Sequence, residues 1–309
     1  MSDVVTVVGL STHPLKSGRE IRLNEALLKP TGIAFDRCLM VVHANTGKFV
    51  SQRSHSKLAT VKVEILEDQA VYRLTQNEIE APLIIPMHSD EGNIIEVTVH
   101  QSKCSGKDQG EIAAEWFRKA IANTERDQFR LVRFTSSLEN RPINSEKFGG
   151  HLAHTEYADG APFLIANFDS LVDLGKRMAG RGREHVPMNR FRPNITITGL
   201  EAWEEDTIAE LASLDGTIVF DLPKPCARCP IPTIDQETGI KTEKEADEKQ
   251  PEPYETLRHF RFRDGNVWFG ENAVLTAGAG LLLKLGDRLR ITKRRQNPAQ
   301  YGRDPRLDA

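Results

Sequence analysis

The chain is poor in cysteine, with four in 309 residues, and only Cys226 and Cys229 lie close together. That scarcity excludes a disulfide framework and points to a reducing compartment, where a C-x-x-C pair more often binds metal or does redox chemistry. No apolar run approaches the ~18 residues that span a bilayer, and residues 1–9, lacking basic residues, read as a first strand and not a signal peptide. Neither sign of charge dominates. The 41 Lys plus Arg stand against 44 Asp plus Glu, a formal net charge of −3, which removes general nucleic-acid binding by bulk charge. A soluble, cytoplasmic protein whose basic sites are local is the expectation, and the length allows one large or two ordinary domains.

What the chain does have is an unusual segment from Pro223 to Thr233, continuing through Asp235 to Gly239. Two thiols, Arg228 and four prolines fall within it, without helical or strand periodicity. Proline fixes φ and removes a backbone donor, so this backbone is expected to be stiff and to lie outside helix and mid-sheet. It follows a strand pattern, Thr217 to Leu222, entered through the turn Asp215-Gly216. A rigid loop leaving a strand holds a soft sulfur donor still.

Elsewhere the pattern is mostly β. Residues 4–8 are β-branched throughout, Leu39 to His43 is apolar, and Asn45 to Gly47 is a hairpin signal with Lys48 to Arg53 returning. Leu58 to Leu66, Val71 to Thr75, Ile94 to His100, Gln128 to Phe134, Ile195 to Thr198, Val267 to Phe269 and Asp287 to Thr292 read as further strands. Glu111 to Ile121 carries helical periodicity, and Asn167 is placed to cap a second helix bearing Leu171, Leu174 and Met178 and closed by Gly180. Residues 241–252 are almost wholly charged and polar and read as a mobile surface loop. The tail from Gln296 reads as frayed.

Three readings of Cys226 and Cys229 remain open on the residues alone. Structural zinc wants four ligands, and Cys38 and Cys104 are isolated. A thioredoxin-like dithiol opens a helix, which Pro230 and Pro232 oppose. A single thiolate on a bound metal, with Arg228 lowering the thiol pKa, is the third. Lys16, Arg37, Arg53 and Arg192 stand in loops or at strand ends, either as solvated surface charge or converging on a phosphate. Asp159 is either a turn residue or a group that accepts or relays a proton. His151 and His154 have metal-ligand spacing for a helix, but Gly149-Gly150 beside them indicates a loop.

Lys16-Ser17, Asp36-Arg37, Ser51 to Arg53, Asp159 to Phe163, Arg190 to Asn194 and the Cys226–Cys229 motif occur in the order found in MOSC proteins. Thr233 to Asp235, Thr238-Gly239, Glu255 to Leu257, Phe269-Gly270 and Gly286-Asp287 continue that order, and the chain most resembles the amidoxime reducing component branch of that family. The resemblance implies an α+β, mainly β protein: a MOSC N-terminal β-barrel domain over 1–125, a MOSC β-barrel domain with flanking helices over 126–295, and a flexible tail over 296–309. It implies a molybdenum-cofactor-dependent reductase of N-hydroxylated compounds, with Cys229 as the metal ligand. Lys16, Ser17, Arg37, Arg53 and Arg192 match positions that hold the cofactor, largely its phosphate, and Arg228 joins them. Asp159 matches an acidic residue near the metal, and Cys226 is given a structural role. A separate electron-donor protein, of cytochrome b5 or ferredoxin type, would be the partner, with no nucleic acid and no membrane. The alternative is a molybdenum cofactor carrier or sulfur-handling module without N-reductase turnover.

Overall fold

The computed structural model describes residues 3–135, 141–246 and 248–304. The chain begins with strand β1, Val4–Thr12, whose alternate residues Val5, Val7 and Leu10 are buried. It then leaves that sheet to build an N-terminal body. The strands there are β2 (Leu39–His43), β3 (Lys62–Leu66), β4 (Val71–Gln76), β5 (Ile79–Pro86), β6 (Ile94–Val99) and β7 (Ser102–Asp108). Helix α1 (Gly110–Ile121) and strand β8 (Phe129–Arg133) complete it. Two antiparallel sheets, in the orders β2-β8-β7-β6 and β3-β4-β5, enclose a core with α1. The helix is amphipathic as its spacing requires, burying Ala113, Trp116, Phe117, Ala120 and Ile121 against Leu39, Val41, Leu74 and Leu131.

The rest of the chain contributes β9 (Phe163–Asn167), α2 (Phe168–Gly180), β10 (Ile195–Thr198), β11 (Ile208–Ser213) and β12 (Val219–Arg228). The short helix α3 (Tyr254–Arg258), β13 (Asn266–Ala277) and β14 (Arg288–Arg294) follow. Pairing runs β9-β10-β1-β14-β11-β12-β13 and returns from β13 to β9, closing a seven-stranded barrel. The first strand is therefore a stave of the second barrel: Thr6 pairs with Thr198 on one side and Val5 with Leu289 on the other. The barrel interior is filled by β-branched and aromatic residues, among them Val7, Ile165, Ile197, Phe163 and Phe220. Asn167 caps α2 as expected, its side chain accepting from the Asp169 N–H at 3.1 Å. Among the described residues no helix is long and apolar enough to cross a membrane.

The mainly β expectation holds, and five local expectations do not. The proline segment is strand as far as Arg228, not loop. Beyond Asp221, β12 is paired only to β13, with bulges at Asp221/Lys224 and Pro225/Ala227, so its prolines occupy positions where no ladder donor is needed. Leu58 to Thr60 lie in a 3-10 turn (Ser56–Thr60) before β3, and the return from the Gly47 hairpin makes only isolated bridges. The charged segment 241–252 is anchored. Glu248 is buried and accepts from Arg181 at 3.1 Å and Arg183 at 3.0 Å, both just past the end of α2, while Glu252 accepts from Thr256 Oγ1 at 2.6 Å. The tail docks as well: the fully buried Asp304 accepts from Arg258 Nε at 2.7 Å, and residues 305–309 lie outside the described residues.

Removing one member of a buried ion pair strands the other charge. Asp304→Ala is expected to cost roughly 3 kcal/mol, since Glu255, at 3.0 Å, still holds Arg258 in part. An unchanged urea midpoint would show that the tail adds nothing to the fold.

Candidate functional site

The turn that follows β1 sets the first wall of the site. Lys16 N–H donates to Leu39 O at 2.7 Å and Gly18 N–H to Leu15 O at 2.8 Å, a tight loop that puts Ser17 at φ 65°. Arg37, before β2, and Arg192, before β10, are also left-handed, at φ 51° and 55°. Such backbones cost about 1–2 kcal/mol each outside glycine, and here all three fall on residues that line one cleft. Gly32, at φ 134°, lets the 32–36 turn approach the Pro162 carbonyl, from which a Cβ there would lie only 2.9 Å.

The cleft has a volume of about 370 Å³ and runs between the N-terminal body and the barrel. Lys16, Ser17, Arg37, Arg53, Asp159, Arg192, Arg228 and Cys229 all line it, so the fold brings together every site residue expected from the sequence. They come from six separate stretches of chain.

Lys16 is 4% exposed; its ammonium donates to Tyr157 O at 2.8 Å and to the Asp159 carboxylate, and lies 4.9 Å from the Phe49 ring centre. Burial lowers the Lys16 pKa and Asp159 opposes that shift. Asp159 keeps its carboxylate more than half exposed at the cleft, where desolvation pushes its pKa up; Lys16 and a 3.0 Å bond from His100 Nε2 outweigh it and hold the group well below the usual range. Asp159 is thus an ionised acceptor. Buried Arg141 donates to the carbonyls of Ala158 and Asp159, which fixes this turn.

Arg37 is ion-paired to buried Asp36, and Asp36 also accepts from the His13 N–H at 2.9 Å. Desolvation acts to raise the Asp36 pKa, but Arg37 and His13 bring it down to about 2. Arg192 is buried, with Nη1 donating to Gly18 O at 2.6 Å and to Gln236 Oε1 at 3.1 Å. Gln236 and Gln52 exchange amide bonds at 2.9 and 3.0 Å, and Gln52 also donates to Ser17 O at 2.8 Å. Burial, and then Arg37, push Arg192 down to about 9. Among the described residues Arg192 Nη2 and Arg228 Nε have no hydrogen-bond partner, although both are buried. A buried donor without an acceptor is costly, and an anion in the cleft would remove the cost.

Cys229 is half-buried at the cleft, just past the end of β12. The loop after it is pinned by Arg190, which donates to Asp235 at 3.0 Å and to Pro232 O at 3.3 Å. Arg228 does not turn to Cys229. Its Nη1 meets Cys226 Sγ at 3.1 Å and its Nη2 donates to Phe191 O at 2.8 Å. All four cysteines are free. The histidine pair is no ligand set: both flank a loop, and His151 lies 3.5 Å from Asp221. Among the described residues no three His, Cys, Asp or Glu side chains form a metal cage, so the four-ligand zinc reading finds no ligands there. His100, Arg141, Gln236, Phe49, Phe148 and Lys224 are site or support residues that periodicity and spacing did not flag.

A soft thiol, a set of cations whose N–H groups are partly unanswered, and strained backbones fit a phosphate-bearing metal cofactor. For Asp36 the sign is fixed: a carboxylate with a depressed pKa adds stability in full above the ordinary value of ~4 and loses it as pH falls through about 2. Asp36→Asn is expected to cost about 2 kcal/mol at neutral pH and to flatten the acid limb of stability between pH ~4 and ~2. Urea titrations over that range check it, and an unaltered limb would refute the assignment.

The MOSC N-terminal beta barrel domain matches residues 4–124 and the MOSC domain residues 153–290. Mitochondrial amidoxime reducing component 2 of Homo sapiens is 29% identical over 275 residues, covering 85% of this chain and 75% of that protein. The Bos taurus protein of the same name is 31% identical over 271 residues, covering 85% and 74%. The molybdenum cofactor sulfurase of Arabidopsis thaliana is 27% identical over 273 residues, 84% of this chain but 32% of its own length. With both halves matched in order, the chain belongs to the MOSC-domain family, in the group of the mitochondrial amidoxime reducing components.

Proposed function

We propose that this chain is a molybdenum-cofactor-dependent reductase of N-hydroxylated compounds. The observation that carries the reading is the convergence of Cys229 with Lys16, Arg37, Arg192 and the unanswered Arg192 Nη2 on one cleft. The relatives named for amidoxime reduction support the substrate class.

In this reading the thiolate of Cys229 is the protein's ligand to the metal, a soft donor suited to it. Arg37, Arg192 and Lys16, with the Ser17 hydroxyl, hold the cofactor's phosphate, and Arg53 reaches it from the rim. When bound, the cofactor supplies the two-electron chemistry that removes oxygen from nitrogen. The residues around it bind, orient and manage protons. Asp159, kept ionised by Lys16 and His100, accepts a hydrogen bond from the substrate's N-hydroxyl and orients it; its low pKa makes it a poor acid. Electrons come from a separate donor protein of cytochrome b5 or ferredoxin type. The sulfurase relative favours a second reading, a cofactor carrier or sulfur-handling module without turnover.

Cys229→Ala is expected to lose both molybdenum and amidoxime reduction with an artificial donor. Full metal content with full activity in that variant would overturn the assignment. Wild-type protein that holds molybdenum yet never reduces an amidoxime would favour the second reading.

A further inference from the structure

The cleft contains one cation that the cofactor reading does not use. Lys224, on β12, lines it and is half-buried, yet among the described residues its ammonium makes no hydrogen bond and no ion pair. Its one described contact is the Phe148 ring, 5.1 Å away. The other cleft cations are engaged: Lys16 with Asp159, Arg37 with Asp36, Arg192 with Gly18 and Gln236, Arg228 with Cys226 and Phe191, Arg53 with Ser51.

Lys224 also belongs to a different electrostatic neighbourhood. Burial lowers its pKa, and the charged groups that act on it next are Cys226, Lys147 and Arg263. Lys16, Arg37 and Arg192 instead act on one another and on Asp36 and Asp159. Lys224 and Phe148 line the cleft beside the turn that carries Asp159, where a Cβ on Gly160 would lie 3.2 Å from the Phe148 ring. Phe148 is fixed there, packed with Ile143, Ala153 and Val274, and it ends a short turn capped by Asn144. Residues 125–152, which contain Phe148, lie between the two family matches.

A half-buried ammonium with no acceptor, shielded by an aromatic face inside a reaction cleft, awaits an anionic oxygen. A lone ammonium offers a point-charge contact that a singly charged carboxylate satisfies. We propose that Lys224 and Phe148 form a substrate subsite that selects N-hydroxylated compounds bearing a carboxylate. The identity of the reacting group rests on the reductase reading; the anion subsite does not.

The test compares equilibrium binding of benzamidoxime with its 3-carboxy and 4-carboxy derivatives to the molybdenum-loaded protein, alongside turnover. At low salt the better carboxylate is expected to bind about tenfold tighter than the neutral compound, with the preference shrinking as salt rises. Lys224→Met brings the ratio close to one, and Lys224→Arg restores most of it. Equal affinity for all three compounds overturns the subsite, whether or not any is reduced. Loss of bound molybdenum in Lys224→Met also overturns it, by placing this lysine in the cradle. A carboxylate preference in binding with no reduction of any compound leaves the subsite standing and removes the reductase reading.

Discussion

The guanidinium of Arg192 joins the parts of this molecule that make the cleft. It is buried, it donates to Gly18 in the turn after the first strand, and through Gln236 it reaches Gln52 of the N-terminal body. One of its nitrogens is left without a partner among the described residues. Among the described residues no carboxylate is ion-paired with it; Asp36, Glu20 and Asp159 favour its charged form from a distance, while burial and Arg37 make that form harder to keep. The charge persists there because the surrounding structure over-determines its place. Its left-handed backbone, and those of Ser17 and Arg37, are further signs of a site shaped for something other than stability.

The acids of the cleft complement this arrangement without cancelling it. Asp36 neutralises Arg37 from behind, and Asp159 neutralises Lys16 from the front. What remains unanswered among the described residues is positive: Arg192 Nη2, Arg228 Nε and the Lys224 ammonium. That excess of positive charge suits an anion in the cleft. Cys229 stands in the same cleft, on a loop held from outside by the Arg190–Asp235 pair. Rigidity of that loop comes from the ion pair and the prolines together.

Much of the site was legible because its residues occur as an ordered set of short motifs, and the order is a property of sequence. Cys229, Asp159 and the six expected cofactor-binding positions needed only that order to be named. Gln236, His100 and Arg141 were not legible, since each acts through hydrogen bonds to residues distant in sequence. Lys224 was hidden for another reason: its significance lies in lacking a partner, which only three-dimensional packing reveals. The charged segment 241–252 misled because composition counts charges without knowing where they pair. Arg181 and Arg183, roughly sixty residues earlier, bury Glu248 and order the segment. The prolines of β12 misled similarly, as a strand paired along one edge tolerates what a two-sided strand does not.

The topology has a consequence for biosynthesis. Strand β1 is made well before its neighbour β14, with Val4 opposite Arg290. The N-terminal body can collapse early, as domains commonly do during translation, while the strand that precedes it waits for its barrel partners. Barrel closure, and the cleft that depends on it, must follow synthesis of β14. Any prosthetic group destined for that cleft then finds a complete site only after β14 has been made.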